Sequence, residues 1–341
     1  MTGNSSVSPR PHFSVVGSGL LAITLLLSLL WVPFPFRSFL WIAIYNFAHV
    51  VLFALLAILL VIVSRHLFLH WPSQNGKHYA VASIGILILA VSSEMFQIFS
   101  STRYPSVGDV LRDLIGGAYG LVWFVTVDRQ CTGWSRWQQA PRNHLVRLGV
   151  FLLLLATLTP VIVWGNAYRH RAMQIPVLCQ FTSGWEMLFV STKGSDLQVV
   201  SSPSGWAKSP GDKVGRVVFH PVRYPSVRIT QPYPEWRGFG YFAVDIFSEL
   251  PEERTIVLRI HDQQHNWQYE DRFNTAITVA PGFNRIRIPL NEIRNAPAGR
   301  EMDLSAIQSV VFFAVAPSES FVLYFDNIRL GYDKEAFGEN S

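Results

Sequence analysis

The chain has 341 residues, half of them hydrophobic, with a mean hydropathy of +0.25 and a formal net charge of +5. Residues 1–175 hold twelve Lys/Arg against four Asp/Glu, net +8, whereas residues 176–341 hold sixteen against nineteen, net −3. The basic excess belongs to the apolar half, where membrane topology accounts for it and nucleic-acid binding does not; two cysteines, Cys131 and Cys179, are too few for a disulfide framework or a metal-ligand pattern.

In chain order, residues 1–12 form a polar tail and five apolar segments follow: 13–33, 40–64, 79–99, 107–127 and 145–165. A bilayer core of about 30 Å needs roughly 20 helical residues, so each segment is read as a membrane span. The first is too long for a cleaved signal and has no Ala-x-Ala site. Loop cations set the orientation. Arg10, Arg65, Lys77, Arg129, Arg136, Arg142 and Arg147 fall on one side, and Arg37, Arg103, Arg169 and Arg171 on the other. This predicts a cytoplasmic N-terminus, a multi-pass protein of the inner (cytoplasmic) membrane, and an extracytoplasmic C-terminal half.

The stretch "SSEMFQIFSSTRYPSVGDVLRDLIGG" (92–117) interrupts this apolar pattern. It holds three of the four acids of the first half, Glu94, Asp109 and Asp113, with Arg103 and Arg112 among them. The turn joins two antiparallel spans, so these groups meet at the outer side, and His49 of the preceding span approaches the same side. Glu94 and Gln97 share a helix face. Asp109, Asp113, Gly116 and Gly120 form one stripe, whose glycine end predicts close approach of another helix. Ser106 stands where a helix cap is expected. Ionisable groups inside a bilayer cost several kcal/mol unless paired or hydrated, which makes them functional candidates. The other reading is a structural ion-pair network that fixes helix register.

The order Glu94-x2-Gln97-x5-Arg103-x2-Ser106-x2-Asp109-x3-Asp113-x2-Gly116-x3-Gly120, with His49 in an earlier span, resembles the VanZ-like membrane proteins over roughly residues 15–130. That family is named for raised resistance to the glycopeptide antibiotic teicoplanin, and Asn often stands in it where this chain has Asp113. The resemblance implies a bacterial envelope protein with a four-helix VanZ-like domain at 13–130. A loop and a fifth helix (131–170) follow it.

From Ile175 the long apolar runs give way to short alternating segments between turn residues. Strands are predicted at 214–220, 226–230, 238–247, 254–261, 275–279, 283–290, 308–315 and 321–330, and residues 191–212 are read as turn-rich loops. The fold class is therefore an α-helical membrane bundle followed by an all-β jelly-roll sandwich at 175–335. The segments "GFNRIRIPLNEI", "DLSAIQSVVFFAV" and "FVLYFDNIRL" resemble the closing strands of galactose-binding-like, carbohydrate-binding-module-type sandwiches. There an acid on the last strand often helps bind a structural calcium, a role the resemblance assigns to Asp326; turn capping or pairing with an arginine is the alternative.

The polar, aromatic-rich stretch "HDQQHNWQYEDRFN" (261–274) supplies the glycan candidates Trp267 and Tyr269, with Trp236 and Trp206 as further ones. Aromatic faces stack on sugar C–H patches while polar groups orient hydroxyls. Covering the end of the core is the competing role. His261-x3-His265 has no third zinc ligand in view.

No nucleophile elbow, phosphate-binding loop, dinucleotide fingerprint or zinc-protease motif is present. The favoured reading is a non-catalytic envelope protein without a cofactor. Its partners would be the lipid bilayer and an envelope glycan or lipid-linked precursor. The alternative is an intramembrane enzyme acting on an undecaprenyl-linked or lipid substrate. His49, Glu94 or Asp109 would then be its acid/base groups, with Arg103 or Arg112 holding a phosphate. A proton-coupled transporter is weakened by the lack of an internal repeat.

Overall fold

A computed structural model describes residues 38–72, 76–98, 106–128, 142–206 and 212–332, with residues 17, 24 and 130. The chain divides into two compact units, Met1–Gly165 and Asn166–Ser341.

The described part of the first unit is built from α1 (Phe39–Leu67), α2 (Lys77–Gln97), α3 (Val107–Val127) and α4 (Arg142–Met173), the last of which runs on into the second unit. All four are long and apolar enough to cross a membrane by length and composition. The expected span 13–33 lies outside the described residues apart from Gly17 and Thr24. Ser38 opens α1 by accepting a hydrogen bond at Oγ from the Trp41 N–H at 3.2 Å.

The stripe of small residues on α3 decides how α1 and α3 pack. A Cβ on Gly116 would lie 2.3 Å from the Val50 carbonyl oxygen, and one on Gly120 2.1 Å from that of Ala54. Only hydrogen fits at either place, so the two backbones touch, as the glycine spacing predicted. On the α2 side, Gly117 leaves room for the Ile86 side chain, whose Cγ2 a Cβ would meet at 2.6 Å. Phe53, Leu56 and Ala57 of α1 and Ile86 and Ala90 of α2 fill the core between the helices.

The second unit contains a β-sandwich of two antiparallel sheets. Its strands are β1 (Val177–Cys179), β2 (Val190–Lys193), β3 (Ser195–Ser201), β4 (Lys213–Phe219), β5 (Ser226–Thr230), β6 (Tyr241–Ser248), β7 (Arg254–Asp262), β8 (Phe273–Val279), β9 (Gly282–Pro289), β10 (Ile307–Phe313) and β11 (Phe321–Gly331). Short helices α5 (Gly184–Met187) and α6 (Leu290–Arg294) lie between strands. One sheet has the order β3-β4-β11-β6-β9, with β1 also on β11, and the other the order β2-β5-β10-β7-β8. Alternation sends Ile256, Leu258 and Ile260 of β7, Val310 and Phe312 of β10, and Phe325 of β11 into the shared core.

The loop reading of 191–212 is corrected. Residues 190–193 and 195–201 are strands β2 and β3, paired along β5 and β4. Both stand at sheet edges, where polar residues are favoured on the exposed side and hydrophobic alternation is weak. That pattern made them look like loop.

Candidate functional site

Two groups of polar side chains link helices among the described residues of the first unit. In the first, His49 and Asp113 are fully buried, and His49 Nδ1 lies 2.6 Å from Asp113 Oδ1. The imidazole stands edge-on to Tyr45, with ring centroids 4.3 Å apart. Gly116, one turn beyond Asp113, allows the approach of α3 that brings the carboxylate against α1. His49 Nε2 and Asp113 Oδ2 are buried without a hydrogen-bond partner among the described residues. Asp109, one turn before Asp113, is instead paired with Arg112 on its own helix.

Glu94 is buried on α2 and accepts a hydrogen bond from the Ser106 backbone N–H at 2.8 Å. Ser106 does hold the N-cap position of α3, but its side chain makes no capping bond; its backbone is used to fasten α3 to the end of α2. The predicted cap is corrected in that sense. Gln97 is the last residue of α2, and Arg103 lies outside the described residues. The hairpin thus brings Glu94, Ser106, Asp109, Arg112 and Asp113 together, with His49 arriving on α1.

The second group was not singled out from sequence. The remaining acid, Asp128, closes α3 and takes hydrogen bonds from both terminal nitrogens of Arg65 and from Tyr79 Oη, the last at 2.6 Å. Nearby, Arg147 and Asn143 of α4 reach the Thr126 carbonyl. This group ties α1, α2, α3 and α4 at the other end of α3. It is a structural clamp.

In the sandwich, Trp267 and Tyr269 lie in the β7–β8 loop with 74% and 64% of their surface exposed. Trp267 holds a positive φ of 70°. Such a conformation costs a bulky residue of order 1–3 kcal/mol and persists only where its surroundings impose it. They do so here. Arg300 clamps both ends of the loop, with Nη1 and Nη2 on the two oxygens of Asp262 at 2.6 and 2.9 Å and Nε on Asp271 at 2.5 Å. Asp271 Oδ2 accepts from the Asn266 N–H at 2.7 Å, and Asp262 from the Asp303 N–H at 2.8 Å. The Arg300 contact holds the Asp271 carboxyl below its ordinary range.

Beneath the loop, His265 Nδ1–H donates to the Asp271 carbonyl oxygen at 2.7 Å, and the imidazole ring lies 4.7 Å from that of His261. Burial, together with the charges of Arg259, His265, Arg228 and Arg272, lowers the His261 pKa to about 3. No group of three or more His, Cys, Asp or Glu side chains able to hold a metal occurs among the described residues.

Trp236 is corrected as a glycan contact. It is fully buried, stacked on Phe242 at 5.7 Å, and its Nε1–H donates to the Tyr233 carbonyl at 2.8 Å. Trp206 is also buried, stacked on Phe247. Both looked like loop residues because they lie between strands; Trp236 belongs to the sandwich core, and Trp206 to a separate buried cluster with Val214, Phe247 and Tyr324.

Asp326 is buried on β11 opposite Asp245 of β6. The oxygens of Asp245 are taken by Arg285 and Asn327, each at 3.0 Å. With the Asp245 carboxylate already neutralised by arginine, Asp245 and Asp326 do not fit a calcium site.

No protein-family model matches the sequence, and no curated protein matches it. Solved structures with similar folds include the family 11 carbohydrate-binding module from Clostridium thermocellum in complex with a β-1,3-1,4-mixed-linked tetrasaccharide, at 18% identity and a TM-score of 0.36, covering 46% of this chain and 95% of that one. An exo-β-agarase is similar at 15% identity and a TM-score of 0.38, covering 46% of this chain and 25% of the agarase. A family 30 module of a Clostridium thermocellum cellulosomal cellulase shares 19% identity at a TM-score of 0.32, covering 46% and 93%. The sandwich assignment itself rests on the strand pairing of this chain.

Proposed function

We propose that this chain is a non-catalytic, VanZ-like integral membrane protein of the bacterial inner membrane, with a cytoplasmic N-terminus and an extracytoplasmic sandwich that binds an envelope glycan. The observation that carries the glycan reading is the loop bearing Trp267 and Tyr269. Two large aromatic rings are held out to solvent on a strained but firmly clamped backbone. Rings so exposed contribute nothing to the core, and stacking on sugar is a use that matches their geometry. The resemblance of the closing strands to carbohydrate-binding sandwiches agrees with this reading. The membrane placement is supported by the four long apolar helices and by the loop cations.

The glycan test uses the full chain in detergent or nanodiscs against a broad polysaccharide panel. Binding is expected, and Trp267→Ala should weaken it by about tenfold or more, on the scale of one lost aromatic anchor. Absence of binding across the panel defeats the reading. For topology, a reporter active only outside the cytoplasm, fused after Gly331, should be active; inactivity overturns the orientation.

A second reading, an intramembrane enzyme on a lipid-linked substrate, is favoured by one observation: His49 Nε2 and Asp113 Oδ2 are buried with no partner among the described residues. Asp113 orienting His49 through Nδ1 leaves Nε2 as the atom that would move a proton. Incubation of the purified chain with an undecaprenyl-linked substrate, followed by mass spectrometry, separates the readings. Turnover abolished by His49→Gln in a stable protein supports the enzyme; no turnover sustains the binding protein.

A further inference from the structure

The β2-β5-β10-β7-β8 sheet has an unusual outward face. Because Val227, Ile229, Ile256, Leu258 and Ile260 point into the core, their neighbours point away from it. One cross-strand row then holds Arg228 of β5, Val311 of β10, Arg259 of β7 and Asn274 of β8. The adjacent row holds Thr230, Ser309 and His261. Arg272, two residues before Asn274, belongs to the same face by alternation.

Three arginines therefore share one sheet face. Burial pushes the Arg259 guanidinium down to about 10, helped by Arg272 and Arg228, so the three guanidiniums act on one another. Half-buried arginines ordinarily pair with carboxylates. Here Nε of Arg259 and of Arg272 is buried without a hydrogen-bond partner among the described residues. The same holds for His261 Nδ1, His265 Nε2, Asn274 Oδ1 and Ser309 Oγ, and His261 and Ser309 are only 5% and 3% exposed. The nearby acids Asp262 and Asp271 are already committed to Arg300. The floor thus has clustered positive charge and unsatisfied donors and acceptors, and among the described residues no carboxylate pairs with its three arginines.

The aromatic loop continues this face. Arg272 lies under the Tyr269 ring, 5.1 Å from its centroid, and Trp267 lies 6.3 Å from the His261 ring. Tyr224 packs against Phe313, which points to the same side at the other end of β10.

We propose that the outward face of this sheet, floored by Arg228, Arg259 and Arg272 with His261, Asn274 and Ser309, seats an anionic glycan whose sugars carry carboxylate, sulfate or phosphate groups. The acidic groups supply the missing counter-charge, and Trp267 and Tyr269 stack on the sugar rings beside them. A flat bilayer surface fits less well, because His261 and Ser309 are recessed and only a chain laid along the sheet reaches them. The inference rests on the sandwich being a glycan binder and adds the charge class of the ligand.

The experiment uses the full chain in nanodiscs of zwitterionic lipid. Its probes are polygalacturonate (carboxylate), dextran sulfate (sulfate), poly(glycerol phosphate) (phosphate), and neutral dextran and mixed-linked glucan. At least one anionic probe should bind about tenfold or more tighter than the neutral ones. Raising salt from about 20 mM to 500 mM should weaken that binding severalfold, through screening. The arm that binds names the acidic group. Arg259→Gln and Arg228→Gln, on different strands, should each weaken the anionic probe about tenfold while Trp267→Ala weakens every bound probe. Hydrogen exchange of β7 and β10 at wild-type rates confirms that each variant is folded. Equal binding of neutral and anionic probes overturns the charge inference and leaves the glycan reading standing. Failure of every probe overturns both. Binding to anionic vesicles with no binding of soluble anionic polymers also overturns it, in favour of a membrane surface.

Discussion

Replacing Arg300 by alanine tests whether the aromatic loop is held by a buried charge cluster. Arg300 supplies two hydrogen bonds to Asp262, whose side chain is fully buried, and one to Asp271. Alanine would leave Asp262 with the Asp303 N–H as its remaining described donor. Removing one partner of a buried ion pair costs about 3–5 kcal/mol. The Arg300 side chain is 24% exposed, which places the loss near the lower end, about 3 kcal/mol. At about 1.4 kcal/mol per factor of ten, exchange of the β7 and β8 amides through global opening should quicken by roughly 150-fold. Hydrogen-exchange mass spectrometry of the full chain resolves these strands from the helices. The double change Arg300→Leu, Asp262→Leu removes both charges and should recover much of the loss, since an apolar pair of similar volume is often no less stable than the ion pair. If Arg300→Ala changes β7 exchange by less than about threefold, the clamp does not hold the loop and its strain has another source.

Three further outcomes follow from named contacts. Gly116→Ala or Gly120→Ala should prevent α1 and α3 from closing, because each Cβ would overlap a backbone carbonyl that cannot move aside alone; loss of the purified monodisperse protein in a thermal series checks this, and wild-type melting contradicts it. His49→Leu and Asp113→Leu should each destabilise the helical unit strongly, and the double variant should be less harmful than the sum, giving a coupling of about 0.5–3 kcal/mol in a mutant cycle; additive losses would mean that the pair is not coupled. His261 is held neutral in the folded sandwich, with a pKa near 3 against about 6.5 when unfolded. The unfolded state therefore binds the extra proton between these values, so sandwich stability is fully present above pH 6.5 and falls as pH drops towards 3, by up to about 1.4 kcal/mol per unit. His261→Asn should flatten that slope in hydrogen exchange measured at several pH values.

Much of the architecture was legible in local patterns. Spans over 40–64, 79–99 and 107–127 correspond to helices 39–67, 77–97 and 107–127, because about twenty predominantly apolar residues leave little alternative to a long helix. Eight of the eleven strands were legible where an inward apolar face alternates with polar residues, as in "RTIVLRIH". The short β1 and the edge strands β2 and β3 were not, since few of their residues meet the core and their pairing partners lie far along the chain. The hairpin cluster was legible because charges are costly among apolar residues. That His49 would choose Asp113, while Asp109 turned to Arg112, was not.

The amino-acid order by itself settled that 40–64, 79–99, 107–127 and 145–165 correspond to long apolar helices, where the β-rich half begins, and that Gly116 and Gly120 admit a neighbouring helix. These follow from periodicity and side-chain size over a few turns or strands. Tertiary structure alone decided that Trp236 and Trp206 are buried, that Arg300 reaches back to Asp262 and Asp271, and that Arg228, Arg259 and Arg272 share one sheet face. In the sequence those arginines look like ordinary outward residues of separate strands. Pairing β5, β10, β7 and β8 side by side makes their charges neighbours, and strand order is a long-range property that no local pattern encodes.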